Sequence, residues 1–163
     1  MVEFEEIDPS QILVTAWADD DAIDWEASAA KLNVSPEDAE AQRNAYSSKG
    51  SKCLEAKAGQ EITWFHFRLL THREDVQVRT RYGLSASEVI GDQDIPLAKI
   101  EAMALEAARL AVVEIEGVWK RANDRETLPG KYLDAKGPMP HALRYAGEKI
   151  IRFSRLTEAE ANF

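Results

Sequence analysis

The chain has 163 residues, 45% of them hydrophobic, 30% charged and 8% aromatic, and its 29 acidic and 20 basic side chains leave a net charge of -9 at pH 7. A chain of this length can bury roughly 70% of the surface that its unfolded form exposes, so it needs neither metal nor disulfide to fold, and its composition is that of neither a disordered nor a collagen-like chain. No window approaches the ~18 consecutive apolar residues of a membrane helix, because Glu106, Arg109, Glu114 and Glu116 interrupt the richest stretch.

The first element is the run Ile12 to Trp17, apolar and partly β-branched, between Asp8-Pro9-Ser10 and Asp19-Asp20-Asp21. It reads as a short buried strand. From Ala22 to Leu32 the residues Ile23, Ala27, Ala30 and Leu32 recur near helical spacing, with Asp20 or Asp21 as the expected cap and Asn33 as the stop. A second helix opens at Ser35-Pro36-Glu37-Asp38, where a hydroxyl caps the end and proline costs nothing at the first position. Acids there favour the positive end of the helix dipole, and the helix is expected to run to about Tyr46.

From Ile62 to Tyr82 apolar and polar residues alternate, with a break at Thr71 to Asp75. This predicts an antiparallel hairpin with Phe65, Phe67, Val76 and Val78 on one face and Trp64, His66, Arg68, Arg79 and Arg81 on the other. A long amphipathic helix from Pro96 to Asn123 is expected to cover the apolar face, since Leu97, Ile100, Ala104, Ala107, Ala111, Ile115, Val118 and Trp119 step by three or four. Asp124 to Pro140 reads as a long connection, and a last helix as running from His141 to about Leu156. No repeat or composition break divides the chain. The expected architecture is one α+β domain over residues 1–163: a strand and helix pair, a hairpin or sheet under a long helix, and a C-terminal helix.

Charge is unevenly placed. Acidic residues outnumber basic ones twelve to three from Met1 to Gly50, whereas basic residues outnumber acidic ones nine to four from Gly117 to Arg155. Unlike surfaces of this kind meet inside one fold or between copies, and a head-to-tail contact between copies builds rings or filaments. The single cysteine, Cys53, and the acidic start from Met1 to Glu6 point to a reducing, cytoplasmic setting.

Motifs for chemistry are sparse. Ala29 to Ala39 resembles the core of a helix-turn-helix, which implies DNA contact through Arg43 and Asn44, but Glu37, Asp38 and Glu40 stand where phosphates would lie. The outer face of the expected hairpin offers a second nucleic-acid surface, with Trp64 to stack a base and His66, Arg68, Arg79 and Arg81 to track phosphates. Glu55-Ala56-Lys57 with Asp38 has the acid-x-lysine spacing of some metal-dependent nucleases, but the triplet is too short to be specific. Asp19, Asp20, Asp21 and Asp24 lack the glycine turn and closing glutamate of a calcium loop, and a solvated cap cluster accounts for them better than a metal site. There is no phosphate-cradling glycine loop, no serine elbow and no cofactor motif.

The expected function is therefore non-enzymatic and rests on protein–protein contact, as a subunit of an oligomeric assembly or as an adaptor or inhibitor. The partner-binding residues expected are Asp19, Asp20, Asp21, Asp24 and Trp25 on the acidic side and Arg144, Lys149, Arg152 and Arg155 on the basic face of the last helix. Trp25 would serve as an interface anchor. Two alternatives remain open: a helix-turn-helix or winged-helix DNA-binding regulator, and an acidic mimic of nucleic acid that occupies a nucleic-acid-binding protein. Nucleic acid ranks below a protein partner, and no membrane or cofactor is expected.

Overall fold

The computed structural model describes residues 12–48, 52–81, 96–117 and 139–161, and its fold is α+β. Three strands, β1 (Leu13–Ala16), β2 (Trp64–Phe67) and β3 (Val112–Glu116), form an antiparallel sheet in the order β1-β2-β3. Six helices are described: α1 (Trp25–Leu32), α2 (Pro36–Ala41), α3 (Arg43–Ser47), α4 (His72–Arg81), α5 (Leu97–Ala111) and α6 (Met139–Ala161). No described helix is long and apolar enough to cross a membrane.

The central strand β2 is covered on both sides. Its register sets Phe65 between Thr15 and Ile115, and Trp64 between Ala16 and Glu116, so alternate residues go to opposite faces. Phe65 and Phe67 enter a core with Met103, Ala107, Leu143 and Ile150 from α5 and α6. Trp64 joins a second cluster with Ile23, Ala29, Tyr46 and Leu54. Complete burial of each phenylalanine contributes about 1.5–3 kcal/mol, which makes the first cluster the larger source of stability.

The amino-terminal elements follow their local signals closely. Ser35 accepts a hydrogen bond from the Asp38 N–H, with Pro36 at the first helical position, and Asn33 ends α1 in the left-handed conformation at φ 58°. The α1 cap is Asp24 rather than Asp20 or Asp21. Ile23 bridges Ala56 in extended backbone, which delays the helix by several residues. The single helix expected from Ser35 to Tyr46 is broken at Gln42 into α2 and α3, where Arg43 turns back to donate to the Ala18 carbonyl.

Two expectations are overturned. The second hairpin strand, Val76 to Tyr82, is the helix α4 as far as Arg81, and Tyr82 lies outside the described residues. The cause is local: the Thr71 hydroxyl accepts from the Glu74 N–H at 3.2 Å, while the Glu74 carboxylate accepts from the Thr71 N–H at 3.1 Å. This reciprocal capping box starts a helix that alternation alone does not reveal. Asp75 and Arg79 then pair one turn apart inside it.

The helix expected from Pro96 to Asn123 stops at Ala111 and continues without a loop as β3. Val112, Val113 and Ile115 are β-branched and fit an extended strand better than a helix. With residues 76–81 helical, β3 is the strand that completes the far side of β2. Val113 is bulged out between the pairs Phe67–Val112 and His66–Glu114 and is 47% exposed. Leu97, expected in the core, is 67% exposed. Trp119 and the connection from Asp124 to Gly137 and Pro138 lie outside the described residues, and α6 begins at Met139, slightly earlier than expected.

Helices α5 and α6 meet along small residues, Ala104, Ala107, Ala108 and Ala111 against Ala142, Ala146 and Gly147. A Cβ on Gly147 would lie 1.7 Å from the Ala104 carbonyl oxygen. Alanine gains about 1 kcal/mol over glycine in helix propensity, but here it presses on backbone that cannot rotate away. Gly147→Ala is expected to destabilise the fold by about 1–3 kcal/mol, read as a lower midpoint in urea denaturation.

Candidate functional site

The acidic residues proposed as a partner surface are mostly engaged within the chain. Asp20 accepts from the Ala22 and Thr63 N–H groups, both at 3.0 Å, and so ties the turn after β1 to the start of β2. Asp24 caps α1, and Asp19 pairs with Arg43 at 2.6 Å. Asp21 is exposed. Trp25 is half-buried against the second cluster, with the Arg43 guanidinium 5.6 Å from its ring centroid. Arg43 is the hub that joins Asp19 and the Trp25 ring, and it also holds Glu40 at 2.8 Å.

The residues proposed for nucleic-acid contact are not brought to one face. Trp64 is only 6% exposed and fills the second cluster, so its ring offers no stacking platform. Arg68 makes a two-pronged contact with Glu74 at 2.8 Å on both arms and also donates to the Leu69 and Leu110 carbonyls. Arg79 is buried against Asp75 at 3.1 Å, and Arg81 reaches Glu106 at 3.1 Å beside Arg109. The Asn44 side chain is exposed, while its carbonyl accepts from Ser47, Ser48 and Tyr145. The surface imagined on the hairpin is lost because its second strand is a helix.

The basic residues of α6 divide into two groups. Arg144 bridges to Glu101 of α5 at 2.7 Å. Lys149 is 9% exposed, its stem buried and its ammonium 5.0 Å from the Tyr145 ring centroid. Burial, reinforced by the neighbouring Arg152, holds its pKa below the usual lysine value. Arg152 is exposed, and among the described residues neither it nor Lys149 has a carboxylate within salt-bridge distance. Arg155 is half-buried one turn further on and has a partner of its own. Tyr145 joins this face to the amino-terminal third: its hydroxyl donates to the Asn44 carbonyl at 3.1 Å and bonds the Ser47 and Ser48 hydroxyls. Burial raises its pKa.

A cleft of about 640 Å³ opens at the end of the sheet where β2 begins and β3 ends. Leu54, Ile62 and Trp64, all buried, line its apolar part, and Lys31, Lys52, Glu55, Glu61 and Glu116 bring charge to it. Lys31 pairs with Glu55 at 3.0 Å, whereas Lys52 pairs with Glu116 at 2.5 Å. The His66 imidazole lies 2.8 Å from the same Glu116 oxygen, and Lys52 first and His66 second hold that carboxyl below its ordinary pKa. Glu55 of the nuclease-like triplet is thus neutralised by Lys31, while Lys57 and Asp38 are exposed elsewhere. No group of three or more potential metal ligands occurs among the described residues. The sequence motifs reach this cleft only through Glu55, Ala56 and Trp64, with His66 beside them; residues from α1, the 52–62 segment and β3 come together here through folding.

Comparison with family profiles, with curated proteins and with solved structures gives no match for this chain.

The Arg68–Glu74 pair generates a pH prediction. Arg68 holds the Glu74 carboxyl down at about 2, against an ordinary value of 4.5. A carboxyl depressed in the folded state stabilises the fold above its ordinary pKa, and that contribution is lost as pH falls from 4.5 toward 2. Glu74→Gln is expected to lower stability at neutral pH and to flatten the acid limb of the stability curve in that window, measured by thermal unfolding at stepped pH.

Proposed function

We propose that this protein acts through protein–protein contact, with the cationic face of α6 engaging an acidic protein surface. The observation that carries this reading is the exposed Arg152 beside the largely buried Lys149, neither with a carboxylate in salt-bridge range among the described residues, with Glu148 near enough to Lys149 to offset only part of that charge. Neighbouring like charges of this kind gain when an acidic surface arrives. Arg144 leaves this face because Glu101 already holds it, so the exposed Arg152 is the principal contact residue, with the ammonium of Lys149 and the half-buried Arg155 adding to its field.

The partner with a complementary surface in view is a second copy of the chain. Asp21, Glu37 and Asp38 are exposed in the acidic amino-terminal third, and α2 carries no basic residue in its last turn. Contact between two different faces of one chain is heterologous and closes into a ring or extends as a filament. The same exposed carboxylates support a second reading, an acidic mimic of nucleic acid, which predicts competition with DNA for a nucleic-acid-binding protein.

The test is absolute mass by light scattering at low and high salt, with and without mixed-sequence duplex DNA. The expected result is an oligomer at low salt that dissociates as salt rises and ignores DNA. Arg152→Glu is expected to leave a folded monomer at low salt. A wild-type monomer at every salt would remove the second copy as partner, and a DNA-dependent rise in mass would favour the helix-turn-helix alternative.

A further inference from the structure

The cleft at the end of the sheet carries charges of both signs, from Lys31, Lys52, Glu55, Glu61 and Glu116, beside the apolar Leu54, Ile62 and Trp64. Its walls are tied down by backbone and buried side chains. The Glu55 N–H donates to the fully buried Ser28 hydroxyl at 2.9 Å, the Asp24 N–H donates to the Glu55 carbonyl at 2.9 Å, and the Lys57 N–H donates to the Ala22 carbonyl at 2.9 Å. On the other side Glu116 is held in register opposite Trp64. Gly117 follows at φ 116°, so close that a Cβ would lie 2.8 Å from the Ile62 carbonyl oxygen. The backbone that presents these charges is therefore fixed by the fold.

Both ion pairs remain within reach of solvent. The side chains of Lys31 and Glu55 are 47% and 48% exposed, and those of Lys52 and Glu116 are both 44% exposed. A ligand with a single charge that inserts into the Lys31–Glu55 pair satisfies one member and strands the other, and one that takes Lys52 leaves Glu116 with His66 alone. A ligand with both charges exchanges partners instead, its carboxylate taking a lysine and its ammonium a glutamate, so that no charge is left unpaired. An apolar group on the same ligand then has Leu54, Ile62 and Trp64 to rest on.

We propose that this cleft binds a small zwitterion with an apolar side chain, of the class of a free amino acid or short peptide. The site is separate from the α6 face, and its test does not depend on the oligomeric state. Calorimetric titration of the full chain with leucine and with leucylleucine, together with amide chemical shifts, is expected to show saturable binding with shifts centred on Glu55, Gln60 and Gly117. N-acetylleucine and leucinamide each lack one of the two charges, and each is expected to bind at least about tenfold more weakly. Lys52→Gln is expected to weaken the zwitterion by a similar factor with an unchanged far-ultraviolet spectrum, and Lys31→Gln serves as a second variant if that one fails to fold. Absence of saturable binding by both zwitterions overturns the proposal. So does equal binding of the singly charged analogues, or unchanged affinity in both lysine variants.

Discussion

The close approach of α5 and α6 is the constraint on which most of this structure depends. A glycine at position 147 lets the backbone of one helix sit against the Ala104 carbonyl of the other, and alanines line the seam on both sides. Because α5 runs straight into β3, the place of α5 is also the place of the strand that pairs with β2. Because α6 carries Tyr145, the same seam sets where the carboxy-terminal helix meets the amino-terminal third. Buried small side chains lose little rotamer freedom, so this contact is entropically cheap as well as tight.

The sheet is small, and its outer strand on the β3 side is ill suited to adding another. Val113 bulges out of register, and Glu114 and Glu116 place carboxylates along the strand. A bulge and repeated like charge both disfavour edge-to-edge pairing. The β3 edge is therefore a poor template for growth of the sheet.

Pairing of charge decides how the surface reads. Arg43, Arg68, Arg79, Arg81 and Arg144 each meet a carboxylate from a different part of the chain or from one turn away. Exposed pairs of this kind contribute little to stability individually, but they neutralise cations that would otherwise attract phosphate. The pair formed by Lys149 and Arg152 stands apart from that pattern.

Much of the fold was legible locally. The strand at Leu13–Ala16, the serine cap and proline at the start of α2, the asparagine stop at position 33 and the existence of the last helix follow from residue types acting over one turn or one strand. The capping box at Thr71 and Glu74 was equally local and would have identified α4, but strict alternation of apolar residues competed with it. Alternation fits a helix poorly only if the apolar face must be wide, and in α4 only Val78 among the apolar residues is buried.

The sequence by itself determined the class of the fold and the imbalance of charge between its ends, because both depend on composition and short-range spacing. The end of α5 at Ala111, the place of β3, the internal pairing of most arginines, and the cleft shared by α1, the 52–62 segment and β3 were decided only by tertiary structure. The physical reason is that a strand needs a neighbour and an ion pair needs a partner, and those partners lie tens of residues away in the chain, where no local pattern can specify them.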